Sequence, residues 1–163
     1  MPTQAPVFVD FKRFAQGRPF CPVVKRLDYF ADPLAVYQAL KNEKSPSVLL
    51  ESARFSPKTG RYSLIGRNPY LILEGRGSQI TLSSFGVNEV FHGDPFQTTR
   101  QLLDLYSSSP QPGLPPYTGG AVGYFGYEAK NYLESKSPRA FKGTSEWPDA
   151  YLLFFSEGVV LDH

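Results

Sequence analysis

The chain has 163 residues, of which 41% are hydrophobic, 15% aromatic and 20% charged. This composition is typical of a globular domain rather than of a disordered or membrane protein. The formal net charge is +2, and no run of like charges is longer than a pair such as Lys25-Arg26, so a nucleic-acid-binding surface is not indicated. Cys21 is the sole cysteine and only two histidines occur, which excludes an intrachain disulfide and argues against a cysteine and histidine metal site.

The sequence contains no segment that would target a membrane. Its N-terminus has neither a long apolar stretch nor a cleavage signal, and no part approaches the roughly 18 apolar residues of a membrane span. A single cysteine is compatible with a reducing compartment. We therefore expect a cytoplasmic protein with no membrane partner and no nucleic-acid partner.

Two helix starts carry the same Asp-Pro pair, at Asp32-Pro33 and at Asp94-Pro95. Aspartate caps the free amide groups of a first turn, and proline fits the first helical position. Apolar residues recur at helical spacing after both pairs. Together with a third, weaker pattern, they predict helices at 33–42, 95–107 and 128–134.

Short runs rich in Val, Leu and Ile predict strands between and after these helices. The first ends at Glu51-Ser52, a bend at Asn68-Pro69 separates the next two, and Phe85-Gly86 forms the turn of a hairpin. The final run, "WPDAYLLFFSEGVVLDH", predicts another hairpin, broken at 156–158. The fold class predicted is α+β, a largely antiparallel β-sheet with helices packed on one face.

Four glycines lie within the apolar segment "GGAVGYFGYE". Glycine weakens a strand, so this frequency predicts that another backbone or a ring packs closely against it. The segment lacks the Gly-x-Gly-x-x-Gly order and the Lys-Ser/Thr pair of phosphate-binding loops.

Four segments, taken together and in this order, resemble one family. They are "LLESARFSPKTGRYSLIGRNP", "GDPFQTTRQLLDLY", "LPPYTGGAVGYFGYE" and "WPDAYLLFFSEGVVLDH". The family comprises the component I chains of anthranilate synthase and of para-aminobenzoate (aminodeoxychorismate) synthase, in their N-terminal region. The likeness runs from about Leu27 to the last residue, and the glycine-aromatic segment is its most specific part.

The resemblance implies half of the family's two-sheet α/β/β/α sandwich. It implies that residues 1–163 form a single N-terminal domain, without the C-terminal domain that binds chorismate and magnesium. This fragment would then carry no catalytic residue, no metal ligand and no cofactor, and would be inactive alone. In the full-length enzyme, chorismate is the substrate, and a glutamine amidotransferase subunit, component II, is the partner that supplies ammonia.

The resemblance also implies a tryptophan-binding pocket. Its candidate residues come from two segments on either side of a loop: Glu51, Ser52, Thr59, Gly60, Arg61 and Tyr62. A carboxylate, a hydroxyl and an aromatic wall suit the ammonium, carboxylate and indole of L-tryptophan. The residues alone allow a plainer interpretation, in which Ser52 is a strand-end hydroxyl bonded to backbone and Arg61 a surface residue that guards a sheet edge.

Two alternatives stay open. The segments "ADPLAVYQAL" and "YEAKNYLE" favour aminodeoxychorismate synthase slightly over anthranilate synthase. A different class of function is a free-standing amino-acid-binding or subunit-docking module without catalysis. The coding sequence that follows His163 would distinguish the enzyme from the free-standing module.

Overall fold

A computed structural model describes residues 20–29, 31–52, 60–108, 113–115, 117–133 and 146–163. Contacts within the chain divide it into two compact units. The first unit contains the residues up to Pro69, Leu105–Gly120 and Phe155–His163, and the second contains Tyr70–Asp104 and Ala121–Phe154. The assignment of residues 1–163 to one N-terminal domain stays a prediction.

The first unit contains a three-stranded antiparallel sheet. Its strands are β1 (Ser47–Leu50), β2 (Tyr62–Arg67) and β8 (Gly158–Asp162), in the order β1-β2-β8. The central strand β2 is the most buried of the three, with Ser63 and Ile65 almost inaccessible. Two paired glycines allow close packing in this sheet. A Cβ on Gly158 would lie 2.7 Å from the Ile65 carbonyl oxygen of the neighbouring strand, and one on Gly66 would lie 2.9 Å from the Phe155 ring.

Helix α1 (Pro33–Leu40) precedes this sheet and begins where the sequence predicts. The Asp32 carboxylate accepts a hydrogen bond of 2.8 Å from the amide of Ala35, which satisfies one of the free donors of the first turn. The Ser47 hydroxyl at the start of β1 lies 3.1 Å from the Tyr37 hydroxyl. Helix α1 therefore packs beside β1, although its apolar residue Leu34 is half exposed.

The second unit contains a five-stranded antiparallel sheet in the order β5-β4-β3-β7-β6. The strands are β3 (Leu71–Arg76), β4 (Gln79–Ser84), β5 (Val87–His92), β6 (Ala121–Phe125) and β7 (Ala150–Phe154). The first three form a meander, and its second turn lies at Phe85-Gly86, where both residues have positive φ. Leu73, Ile80, Ala150 and Phe154 form the fully buried centre of the unit.

Helix α2 (Pro95–Leu105) covers one face of the five-stranded sheet. The Asp94 carboxylate accepts the amides of Phe96 and Gln97 at 2.7 and 3.2 Å, the capping that the Asp-Pro pair predicts. The Phe96 ring stacks on the Phe125 ring of β6 with centroids 4.3 Å apart, and a Cβ on Gly75 would meet the Pro95 side chain at 3.2 Å. Gly75 and Phe125 flank Ala150 in one row across the sheet, so α2 lies over that face.

The third predicted helix, at 128–134, is a short helical segment. A 3-10 turn (Tyr127–Ala129) leads directly into helix α3 (Lys130–Leu133). Tyr132 of α3 meets the Phe96 ring edge-on, and its hydroxyl donates to the carbonyl oxygen of Gly77. Helix α3 is therefore fastened to α2 and to the β3-β4 turn.

The predicted class, α+β with antiparallel strands, is confirmed, but the strands form two sheets. The hairpin predicted for the final segment is wrong. Strand β7 pairs with β3 and β6, whereas β8 pairs with β2 in the other sheet. The chain passes from one sheet to the other between Phe154 and Gly158. Phe154 and Phe155 are both buried, whereas Trp147 is 73% exposed.

The prediction of close packing at the glycine segment is confirmed. A Cβ on Gly123 of β6 would overlap the carbonyl oxygen of Tyr151 on the neighbouring strand β7. Only glycine lets these two backbones lie at this distance.

Candidate ligand-binding site

The two segments of the predicted pocket lie at the same end of the three-stranded sheet. Strands β1 and β2 are antiparallel, and their register pairs Leu50 with Leu64. The residues that follow Leu50 therefore run alongside those that precede Leu64. Glu51 and Ser52 directly follow the end of β1 and are both exposed, while Tyr62 and Ser63 begin β2.

Gly60 begins the second segment in a backbone conformation with φ 88°. Residues with a side chain rarely adopt this region, so glycine allows the chain to turn into β2 here. Arg61 and Tyr62 follow directly, with Arg61 exposed and Tyr62 half-buried. Thr59, the remaining candidate, lies outside the described residues.

The Arg61 guanidinium binds a carboxylate at the end of β8. Its Nε and one terminal nitrogen donate to the two Asp162 oxygens at 2.5 and 2.8 Å. This bidentate hydrogen bonding lowers the pKa of Asp162 and raises the pKa of Arg61. The charge of Arg61 is thus already balanced by Asp162, and the guanidinium is engaged without a ligand.

Arg61 also contacts the residue that the pocket needs as an aromatic wall. Its guanidinium carbon lies 5.0 Å from the centre of the Tyr62 ring, within the range of a cation–π contact. One side of Tyr62 is therefore next to Arg61, and an aromatic ligand would use another part of the ring.

The backbone of the second segment is fixed by the end of β8 as well. The amide of His163 donates to the Arg61 carbonyl oxygen at 2.8 Å, and His163 Nε2 lies 2.7 Å from the Ser63 hydroxyl oxygen. Ser63 is 1% exposed, so this hydroxyl needs a partner inside the protein. Sequence reasoning missed Ser63, Asp162 and His163, because no local signal links residues a hundred positions apart.

A shallow cleft of about 120 Å³ lies at the opposite end of β2. It is bordered by Leu40, Ile65 and Val159 and by the ion pair of Arg67 with Glu157, whose Nε–Oε1 distance is 3.0 Å. Ligand pockets are commonly some 300–1,000 Å³. This cleft is too small for an amino acid with an indole ring, and it contains none of the candidate residues.

The described part of the chain shows no group of three or more His, Cys, Asp or Glu side chains that could hold a metal ion. Among those same residues, no helix has both the length and the apolar character needed to cross a membrane.

Comparison with known proteins relates this chain to one enzyme family. Anthranilate synthase component 1 of Acetivibrio thermocellus is 30% identical over 162 residues, which are 97% of this chain and 32% of that protein. The Pseudomonas putida protein of the same name is 34% identical over 139 residues, 81% of this chain and 27% of that protein. The chain is homologous to part of anthranilate synthase component I.

A further relative agrees in name and extent. Anthranilate synthase component 1 of Mycobacterium tuberculosis is 32% identical over 161 residues, 94% of this chain and 31% of that protein. The crystal structure of anthranilate synthase component I from Streptococcus pneumoniae TIGR4 is 23% identical with a TM-score of 0.47, and covers 86% of this chain and 29% of that one. The chain spans about a third of the length of the Acetivibrio thermocellus and Mycobacterium tuberculosis proteins. No protein-family model matches it.

Proposed function

We propose that this chain is the N-terminal part of a chorismate-aminating enzyme and contributes a scaffold and an L-tryptophan-binding segment. The observation that carries the proposal is the identity of 30–34% to anthranilate synthase component 1 over most of the chain. The names of these relatives favour anthranilate as the product, and hence tryptophan biosynthesis, over the aminodeoxychorismate of the folate branch.

The residues at the end of β1 and the start of β2 suit the chemistry of an aromatic amino acid. The Glu51 carboxylate would bind the ligand's ammonium, and the Ser52 hydroxyl would donate to its carboxylate. Tyr62, half-buried at the start of β2, would pack against the indole. Gly60 and Arg61 would contribute backbone groups, because the Arg61 side chain is paired with Asp162.

The remaining parts of the reaction belong to the rest of the enzyme. Chorismate and magnesium would bind residues outside this chain, and component II would deliver ammonia. The chain alone would then be inactive, and its tryptophan pocket would be incomplete, since a pocket buries most of its ligand. A cytoplasmic location belongs to the same proposal.

The test is an activity assay on two proteins, the full-length gene product and the 163-residue chain. Each is given chorismate, ammonia and magnesium, and the product is identified by fluorescence, with and without L-tryptophan. We expect the full-length protein to release anthranilate and to be inhibited by tryptophan, and the chain to form no product. Turnover by the chain alone would contradict this division, and absence of any aminated product from the full-length protein would favour a module without catalysis.

A further inference from the structure

The end of strand β8 fixes the segment that the proposed function assigns to tryptophan binding. Asp162 binds the Arg61 side chain through two hydrogen bonds, and His163 binds both the Arg61 backbone and the Ser63 hydroxyl. The register of β2 and β8 also pairs Tyr62 directly with Asp162. Four hydrogen bonds with two adjacent residues therefore hold Arg61 and Ser63, which lie on either side of Tyr62.

The contact of Asp162 with Arg61 extends to Tyr62. A bidentate carboxylate fixes both the position and the plane of a guanidinium group. The carbon of the same guanidinium lies 5.0 Å from the centre of the Tyr62 ring. By holding the guanidinium, the Asp162 carboxylate therefore keeps it against that ring. Without this carboxylate, the Arg61 side chain would be free to leave Tyr62 and to turn towards any nearby anion.

We propose that Asp162 is a positioning residue for amino-acid binding, which acts through Arg61 on the segment Gly60–Tyr62. The inference rests on the proposed function, because it concerns the same site. It assigns the Arg61 guanidinium to the protein's internal structure and not to the ligand's carboxylate. It also places a residue that influences ligand affinity on β8, a strand far along the chain from both segments of the pocket.

The chain offers a matched control at the other end of the same strand pair. Arg67 is the last residue of β2, and Glu157 directly precedes the first residue of β8. The Arg67 Nε lies 3.0 Å from the Glu157 Oε1. The side chains of both ion pairs are substantially exposed, at 53% and 39% for Arg61 and Asp162 and at 40% and 56% for Arg67 and Glu157. Glu157→Gln thus removes a comparable surface ion pair without altering the contacts of Arg61.

The experiment measures the dissociation constant of L-tryptophan by calorimetry, and the thermal midpoint, in the full-length gene product. The variants are Asp162→Asn, Arg61→Gln, the double variant and Glu157→Gln. Because contacting residues act together, we expect Asp162→Asn and Arg61→Gln each to weaken binding about three- to tenfold. We expect the double variant to bind L-tryptophan as weakly as the single variant with the lower affinity. Glu157→Gln should bind it with the affinity of the wild type.

The outcomes distinguish a positioning role of Asp162 from a general effect on stability and from failure of the proposed site. Wild-type affinity in Asp162→Asn, or tighter binding through a released Arg61, overturns the positioning role. Equal weakening in Asp162→Asn and Glu157→Gln, in proportion to their thermal midpoints, also overturns it, because the effect is then general stability. Losses that add fully in the double variant show that Asp162 does not act through Arg61. If the wild type binds no tryptophan, the proposed site fails together with this inference, whereas tight wild-type binding with an unaffected Asp162→Asn refutes the inference alone.

Discussion

The contacts that define the candidate site join residues far apart in the sequence. Glu51, Ser52 and the segment from Gly60 were proposed from the sequence, through a family resemblance carried by one short stretch. Asp162 and His163 were not, because their contacts with Arg61 and Ser63 arise only when β8 pairs with β2. The same pairing brings Asp162 to Arg61, so that its guanidinium is already bound to a carboxylate.

Ser52→Ala tests the hydroxyl assigned to the ligand's carboxylate. A hydrogen bond to a charged group contributes about 1.5–3 kcal/mol, so we expect the variant of the full-length protein to bind L-tryptophan at least about tenfold more weakly. Because Ser52 is exposed, the thermal midpoint without ligand should stay within about 2 °C. Calorimetry and thermal denaturation measure the two effects. A lowered midpoint with unchanged affinity would mean that Ser52 serves the fold.

The Arg61–Asp162 pair should make stability depend on acid pH. The hydrogen bonds from Arg61 lower the pKa of Asp162 below its ordinary value of 3.8. A carboxyl whose pKa is depressed by folding stabilises the protein above its unfolded pKa and loses that contribution as the pH falls through the folded value. Wild type and Asp162→Asn should therefore differ in thermal midpoint at pH 7, and the difference should close below about pH 3.8. A difference that is the same at pH 3 and pH 7 would show that the carboxylate charge contributes nothing.

Local sequence signals predicted where helices and strands begin and end better than they predicted which strands pair with each other. Asp32 and Asp94 cap helices where the sequence places them, because a cap depends on neighbours within a few residues. The final two strands were expected to pair with each other, since only a short polar break separates them. Instead β7 pairs with β3 and β6 while β8 pairs with β2, so the chain passes from one sheet to the other between Phe154 and Gly158.

Gly123→Ala tests the close approach of β6 and β7. The added methyl group would overlap the Tyr151 carbonyl oxygen, so the strands must separate, at a cost of about 1–3 kcal/mol or more. Gly126→Ala is the control, because its Cβ would have its nearest neighbour at 3.5 Å and its φ of −69° suits any residue. Denaturant unfolding should show a large loss for the first variant and almost none for the second. Equal stability of both would contradict the packing described for β6.

At the scale of the whole molecule, the chain contains two compact units and about a third of the length of its relatives. The fold class was predictable because caps, alternation and turns all favoured antiparallel strands with a few helices. The division into two sheets was not, because it depends on which distant strands pair. The candidate site belongs to the first unit, where three strands bring its two segments and the end of β8 together.

The most direct test of the account is a crystal structure of the full-length gene product with L-tryptophan. The account predicts that the ligand lies at the end of β1 and the start of β2. Its ammonium and carboxylate should be within hydrogen-bond distance of Glu51 and Ser52, its indole against Tyr62, and the Arg61–Asp162 pair should remain intact. Tryptophan bound elsewhere, or no tryptophan at saturating concentration, would contradict the assignment of this site.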